Sequence, residues 1–154
     1  ETVGILNGGS LEMWRYYFPE ATIVGIDIDP NCKQHEKEGI NIRIGDQTDE
    51  KFLQSLIDEF GDFDLIIDDG SHHAHEVLEA FNKFNSVVTL GSYYIIEDGV
   101  LSDLGYNPTY GGGPLQVMDE IINNNKDFTV DRKWCDFYGE NATFNPNGYL
   151  KRTN

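Results

Sequence analysis

The sequence predicts a doubly wound α/β fold whose mostly parallel sheet carries polar residues at the carboxyl ends of its strands. An apolar run at 65–67 is typical of a strand buried on both faces, and it passes directly into Asp-Asp-Gly-Ser-His at 68–72. A second apolar run at 93–96 passes into Glu-Asp-Gly at 97–99, and residues 73–86 between the two have helical character. A right-handed βαβ connection places both acidic pairs at the sheet edge where open α/β proteins bind ligands.

The length and the net charge of the chain indicate how many domains it forms and which partners are disfavoured. With 154 residues, of which 39% are hydrophobic, the chain is long enough for one domain with a single core. It has 11 Lys and Arg against 27 Asp and Glu, so its formal net charge is −16. Because such a chain repels phosphate backbones and anionic membranes, we expect neither nucleic acid nor a membrane among its partners. We expect most of the acidity on a solvated surface and part of it in a metal site.

The cysteines indicate the redox compartment of the protein, and the first residues indicate where the domain begins. Cys32 and Cys135 share no motif, and two free thiols in a reducing compartment are a simpler interpretation than a disulfide, which stays open. No stretch approaches about 20 apolar residues and no signal peptide is evident, so we expect a cytoplasmic protein. Because residues 1–6 already have the pattern of a strand, we expect 1–154 to form one domain whose natural N-terminus lies upstream.

A glycine turn, Asn-Gly-Gly-Ser at 7–10, follows the first apolar run at 3–6 and precedes a helical pattern at 11–18. Glycines at this point let a ligand approach the backbone closely, although many such pairs only form turns. The spacing differs from the Gly-x-Gly-x-x-Gly of dinucleotide-binding proteins. A pyrophosphate dinucleotide is therefore disfavoured as the ligand.

Acidic residues also follow the second and third predicted strands, 21–26 and 40–44. Asp27 lies where doubly wound proteins hold a ribose diol, and we assign it this role. Asp29 competes for the role, but it directly precedes a proline and is explained as a helix N-cap. Asp46 either reaches a base amine or is a turn aspartate, and the sequence supports both interpretations equally.

The two acidic pairs at 68–69 and 97–98 indicate a divalent cation. Four carboxylates cannot share one crevice without large pKa shifts or a cation. His72 and His75 are spaced for a zinc site, but no cysteine or His-Glu-x-x-His pattern accompanies them, and the hard oxygen ligands nearby favour Mg²⁺ or Mn²⁺. His72 is predicted to be a general base, because its ordinary pKa of about 6.5 leaves it largely neutral at pH 7. We expect His73 and His75 on the surface.

The last third of the chain is less regular. Residues 101–113 are predicted to form a loop, which is either a substrate lid or a plain connection. Strand-like pieces follow at 128–130, 142–144 and 148–150, and the turn at 146–148 favours a hairpin between the last two.

Five short motifs occur in a fixed order: Gly-Gly-Ser-Leu-Glu-Met-Trp at 8–14, Gly-Ile-Asp-Ile-Asp-Pro at 25–30, Gly-Asp-Gln at 45–47, Ile-Ile-Asp-Asp-Gly-Ser-His at 66–72 and Ile-Glu-Asp at 96–98. With them the chain resembles class I S-adenosylmethionine-dependent methyltransferases. The resemblance is closest to the group of cephalosporin-hydroxylase-like proteins, rhamnosyl O-methyltransferases and macrolide-sugar O-methyltransferases. It covers roughly residues 1–113, and five motifs in register are fairly specific.

The resemblance implies a Rossmann-like, seven-stranded sheet with an antiparallel last strand, S-adenosylmethionine as cofactor and Mg²⁺ (or Mn²⁺) as the ion. It implies His72 as the base and a metal site at Asp69, Glu97 and Asp98. The cofactor site predicted in this way comprises Gly4, Gly8, Gly9, Ser10, Asp27, Asp46, Gln47 and Asp68. Two alternatives stay open: Asp29 in place of Asp27 at the ribose, and Asp68 in place of Asp69 at the metal.

The function expected on this basis is O-methylation of a sugar hydroxyl, with a small molecule or glycan as acceptor and a homo-oligomer as a further possibility. A metal-dependent hydrolase that uses the same carboxylates and His72 is the first alternative, but it gives Asp27 and the glycine turn no role. The second alternative is a non-catalytic module that keeps the cofactor site and methylates nothing.

Overall fold

The computed structural model describes residues 2–3 and 7–154 of the chain. One seven-stranded sheet has the order β3-β2-β1-β4-β5-β7-β6. Its strands are β1 (Thr2–Val3), β2 (Ile23–Asp27), β3 (Ile40–Ile44), β4 (Phe63–Asp68), β5 (Val88–Ile96), β6 (Phe128–Val130) and β7 (Tyr149–Arg152). Strands β1 to β5 pair in parallel, and β7 is antiparallel to both of its neighbours. The predicted doubly wound α/β architecture is confirmed. Gly4, one of the predicted cofactor residues, lies outside the described residues.

Helices connect these strands. They are α1 (Gly9–Tyr17), α2 (Glu50–Phe60), α3 (Ala74–Phe84), α4 (Asn107–Tyr110), α5 (Leu115–Asn124) and α6 (Arg132–Cys135), with short 3₁₀ turns at Pro30–His35, Asn85–Val87 and Gly99–Ser102. Among the described residues, no helix is long and apolar enough to cross a membrane.

The sheet separates two cores, and β2 contributes to both. Ile23 packs in a small core with Leu11 of α1 and the buried isoleucines of β3. Val24 and Ile26 belong instead to the larger core, which α2, α3 and α5 share with β4 and β5. Successive residues of a strand point to opposite faces, so this division means that α1 covers one face and α2, α3 and α5 cover the other.

Aspartate side chains cap the N-termini of several helical segments, among them the 3₁₀ turn at Pro30–His35 and α2. Asp29 accepts a hydrogen bond from the backbone N–H of Asn31 at 2.9 Å, which confirms the predicted N-cap. Thr48 and Asp49, which precede α2, both have side chains that can cap a helix. The cap is Asp49, which accepts from the backbone N–H of Lys51 at 2.8 Å. Thr48 instead donates its own N–H and its hydroxyl to the preceding turn.

The region after β5 differs from the sequence prediction in two ways. Residues 101–113 are not a plain loop, because they contain the end of a 3₁₀ turn and all of α4. Residues 142–144 form no strand, so the predicted hairpin with β7 is wrong. β7 pairs with β5 and β6 instead. The backbone of Phe144 is bonded elsewhere: its carbonyl accepts from the N–H of Val100 at 3.0 Å.

Candidate active site

The two acidic pairs meet at the carboxyl ends of β4 and β5, as the sequence predicts. In the parallel pairing of these strands, Asp68 lies opposite Ile96, so the residues that follow them leave the sheet side by side. The N–H of Glu97 donates to the carbonyl of Asp68 at 3.0 Å and holds the two turns together. Asp98 has a φ of 58°, in the left-handed region that residues other than glycine seldom occupy.

Three side chains lie close enough to share one cation. Candidate ligand atoms of Asp69, His72 and Asp98 all lie within 4.8 Å of one another, and the three residues are partly buried. The Nε2 atom of His72 is 3.5 Å from Oδ2 of Asp98. Glu97, which the sequence predicts to be part of the metal site, is not one of these three residues. It lies close enough for the charges of Asp69 and Asp98 to raise its pKa. We call these four residues the acidic cluster.

Burial and the crowding of like charges raise the pKa values of two carboxyl groups in the acidic cluster. Burial raises the pKa of Glu97 to about 7, and the charges of Asp69 and Asp98 add to the effect. Burial also raises the pKa of Asp69, with a further rise from Asp98 and an opposing effect of His72. Without a counter-ion, the cluster therefore resists full ionisation at neutral pH.

Asp68 lies beneath the acidic cluster. Its side chain is 3% exposed, and its Oδ2 accepts a hydrogen bond from the hydroxyl of the fully buried Tyr94 at 3.1 Å. Burial raises the pKa of Asp68 to about 7, opposed by the hydroxyl of Tyr94 and the N–H of Gly70. Of the two neighbouring aspartates, Asp69 is therefore the one that joins the other candidate ligands.

A groove of about 520 Å³ runs from the ends of β2 and β3 to the turn after β4. Three predicted cofactor residues line it, and so do Gly70 and Ser71, which join Asp69 to His72 along the chain. Its lining comprises Ile26, Asp27, Ile28, Gly45, Asp46, Gln47, Thr48, Gly70, Ser71, His75, Glu76 and Glu79. The predicted residues Gly8, Gly9, Ser10 and Asp68 are not in this lining.

Two carboxylates of this groove are fixed by local bonds. Oδ1 of Asp27 accepts from the N–H of Asp29 at 2.8 Å. The buried thiol of Cys32 also bonds to Asp27, and burial together with this carboxylate raises the thiol pKa to about 11. Asp46 accepts from both the N–H and the hydroxyl of Thr48, which lower its pKa. These bonds to Thr48 are those expected if Asp46 is a turn aspartate.

Gln47 carries a polar group that the described residues do not satisfy. The side chain is 9% exposed, and within residues 2–3 and 7–154 no acceptor reaches its Nε2. A buried amide without a partner costs free energy, so a ligand that accepts this hydrogen bond is favoured in the groove. Ile28, beside it in the lining, is 72% exposed and offers apolar surface there.

The side chain of His35 lies close to the glycine turn that precedes α1. Gly8 has a φ of 69°, and a Cβ there would lie 2.8 Å from the ring of His35. A Cβ on Gly9 would meet nothing within 4 Å. Only Gly8 is therefore required by the conformation of the turn.

Tyr110 of α4 covers the histidines that follow the acidic turn. The centroid of its ring lies 5.7 Å from the ring centroid of His72 and 5.4 Å from that of His73, and both pairs of rings are arranged edge to face. His73 is therefore partly covered, whereas His75 is on the surface as predicted, with 77% of its side chain exposed. Sequence reasoning missed His75, Glu76 and Glu79 as groove residues; their position in the first turns of the helix after the acidic motif was the available signal.

Comparison with known proteins places this geometry in context. The sequence matches the family model described as Rhamnosyl O-methyltransferase/CmcI over residues 2–153. The 8-demethyl-8-(2-methoxy-alpha-L-rhamnosyl)-tetracenomycin-C 3'-O-methyltransferase of Streptomyces olivaceus is 43% identical over 105 residues, which cover 68% of this chain and 26% of the relative. The mycinamicin VI 2''-O-methyltransferase of Micromonospora griseorubida is 41% identical over 107 residues, or 68% of this chain and 25% of the relative. The matched part is thus about a quarter of each relative.

Solved structures with the same fold include two of particular relevance. The MycE methyltransferase from the mycinamycin biosynthetic pathway, in complex with Mg, SAH and mycinamycin VI, is 31% identical with a TM-score of 0.70. That match covers 79% of this chain and 35% of the other. The CmcI-N160 apo-structure has a TM-score of 0.67 at 22% identity and covers 99% of this chain and 63% of the other. The chain shares the Rossmann-like α/β fold of class I methyltransferases.

Proposed function

We propose that this chain, which belongs to the Rhamnosyl O-methyltransferase/CmcI family, is the cofactor-binding and catalytic unit of an Mg²⁺-dependent O-methyltransferase. The acceptor is a hydroxyl of a sugar carried by a small molecule, as the names of the relatives suggest. The observation that carries the proposal is that Gly70 and Ser71, which join Asp69 to His72 along the chain, line the same groove as Asp27 and Gln47. The whole sequence is one domain on this proposal, and its seven strands are the class I methyltransferase sheet.

The groove fits S-adenosylmethionine. Asp27, held by the N–H of Asp29, accepts hydrogen bonds from the ribose hydroxyls. The unsatisfied amide of Gln47 donates to the base, and the exposed side chain of Ile28 packs on its flat face. The turn at 8–10 and Gly4 are assigned to the methionine end, and Asp68 supports the backbone between groove and acidic cluster.

The acidic cluster fits a divalent cation. Asp69, Glu97 and Asp98 supply the hard oxygen ligands that Mg²⁺ and Mn²⁺ prefer. A cation also offsets the burial and the like-charge repulsion that raise the pKa of Glu97 and of Asp69. We therefore infer that these three carboxylates hold the ion.

His72 is the proton acceptor in this proposal. When bound, Mg²⁺ lowers the pKa of an acceptor hydroxyl. The imidazole of His72 takes the hydroxyl proton at Nε2, the nitrogen that lies 3.5 Å from the carboxylate of Asp98. The negative charge of this carboxylate stabilises the imidazolium that forms. Methyl transfer requires the oxygen to lie in line with the methyl group and its sulfur, so the protein contributes mainly by alignment.

A methyl-transfer assay tests the proposal. The protein is incubated with S-adenosylmethionine, Mg²⁺ and a panel of rhamnosides, and methylated glycoside is detected by mass spectrometry. We expect product with Mg²⁺ and none with EDTA or with Glu97→Gln. Hydrolysis of a panel member in place of methylation favours the hydrolase alternative, and binding of S-adenosylhomocysteine without any transfer favours the non-catalytic module.

A further inference from the structure

We propose that a second groove, on the far side of the acidic cluster, binds the apolar body that carries the acceptor sugar, with Tyr138 and Phe144 as its specificity-determining residues. This inference rests on the proposed methyl transfer and names the acceptor site for it. The groove has a volume of about 660 Å³. Its lining includes the carboxylates of Glu97 and Asp98 and the aromatic side chains of Tyr138, Phe144 and Tyr149.

The position of this second groove suits an acceptor. Along the carboxyl edge of the sheet, the first groove contains residues that end β2 and β3, such as Asp27 and Asp46. The acidic cluster follows β4 and β5, and the second groove lies beside β5 and β7. A hydroxyl held at the cluster therefore has the methyl donor on one side and space for the rest of its molecule on the other, which in-line transfer requires.

The wall of the second groove is fastened to the turn that carries the acids. Oδ1 of Asn145 accepts from the N–H of Asp98 at 3.0 Å. The carbonyl of Gly148 accepts from the N–H of Ile96 at 2.9 Å, and a Cβ on Gly148 would lie only 2.2 Å from the Ile96 carbonyl oxygen. With the Phe144–Val100 bond, these contacts fix the backbone around Phe144 relative to the acids, which lowers the entropy cost of binding. We call Tyr138, Phe144 and Tyr149 the aromatic wall.

Exposure and charge indicate the chemistry of the occupant. Tyr138 is 84% exposed and Phe144 is 73% exposed, although the backbone beside Phe144 is firmly held. Aromatic side chains around a concavity with a few polar groups at one end are typical of small-molecule sites. Because Glu97 and Asp98 border the groove and the chain carries a net charge of −16, an anionic acceptor is disfavoured. The occupant is a neutral glycoside whose apolar aglycone contacts the aromatic wall.

Two simple glycosides separate the sugar from the apolar body. Binding of methyl α-L-rhamnopyranoside and of phenyl α-L-rhamnopyranoside is measured by saturation-transfer NMR, with Mg²⁺ alone and with Mg²⁺ and S-adenosylhomocysteine. In the unmodified protein we expect the phenyl glycoside to bind about tenfold more tightly, from the added aromatic contact. Tyr138→Ala and Phe144→Ala each lose most of this preference. Tyr16→Ala, at a residue of α1 that is 81% exposed, keeps it.

Equal affinity for the two glycosides in the unmodified protein overturns the proposal, and so does a preference that survives both groove substitutions. A shift of the oligomeric state in Tyr138→Ala and Phe144→Ala, with the phenyl preference intact, also overturns it and makes this face an interface between copies. Failure of S-adenosylhomocysteine to bind contradicts the proposed methyl transfer instead, because the comparison with Mg²⁺ alone still tests the groove.

Discussion

Lowering the pH should weaken Mg²⁺ binding through the protonation of Glu97. An ordinary glutamate is ionised at pH 7, but burial and the charges of Asp69 and Asp98 raise the pKa of Glu97 from 4.5 to about 7. The protonated carboxyl is thus favoured as the pH falls, and a proton competes with the ion for the same oxygens. One such group weakens binding by about tenfold between pH 8 and pH 6, and by about tenfold again at pH 5.

Isothermal titration calorimetry with Mg²⁺ at pH 5, 6, 7 and 8 measures this dependence. Glu97→Gln should bind Mg²⁺ more weakly at pH 8 and show a flatter dependence on pH. Asp62→Asn, which removes an exposed carboxylate at the other end of β4, should behave like the unmodified protein. An affinity that does not change between pH 8 and pH 6 refutes the reasoning. Retention of the full pH dependence by Glu97→Gln refutes it as well.

Three further predictions concern the base, the ribose contact and the cap of α2. His72→Ala should lower turnover by about 10²–10⁴-fold while binding of cofactor and Mg²⁺ changes little; near-normal turnover per folded site removes His72 from the mechanism. Asp27→Ala should weaken S-adenosylmethionine binding by about 1–3 kcal/mol in calorimetry. Asp29→Ala should weaken it less, and the reverse order moves the ribose contact to Asp29. Asp49→Ala should destabilise the protein by about 0.5–2 kcal/mol in urea unfolding, more than Thr48→Ala does, because Asp49 is the observed cap.

Local sequence signals were sufficient to locate β2 to β5, whereas most of the first predicted strand, 3–6, lies outside the described residues. The run at 40–44 alternates and ends in a glycine, and β3 has these bounds. The apolar runs before the acidic pairs predicted β4 and the last four residues of β5, and the handedness of βαβ connections then predicted that Asp69 and Asp98 would converge. These inferences succeeded because the pattern within each strand and the connection rule need no knowledge of distant contacts.

The carboxyl-terminal part depends on contacts that no local pattern encodes. The turn at 146–148 favoured a hairpin, but β7 buries Leu150 between β5 and β6 instead, so pairing with strands distant in sequence determined its place. The residues that precede β7 form hydrogen bonds with the turn after β5, as the bond between the Phe144 carbonyl and the N–H of Val100 shows. The second groove, which needs Phe144 beside Glu97, was for the same reason invisible in the sequence.

The most direct test of the central claim is a crystal structure of the protein with S-adenosylhomocysteine and Mn²⁺, with anomalous scattering used to locate the metal. We predict that the nucleoside lies in the first groove with its ribose hydroxyls bonded to Asp27. We also predict one anomalous peak bonded to Asp69, Glu97 and Asp98, with His72 beside the ion and not bonded to it. A peak coordinated by His72 contradicts its role as the base, and a nucleoside bound elsewhere, or a metal away from the acidic cluster, contradicts the proposed site as a whole.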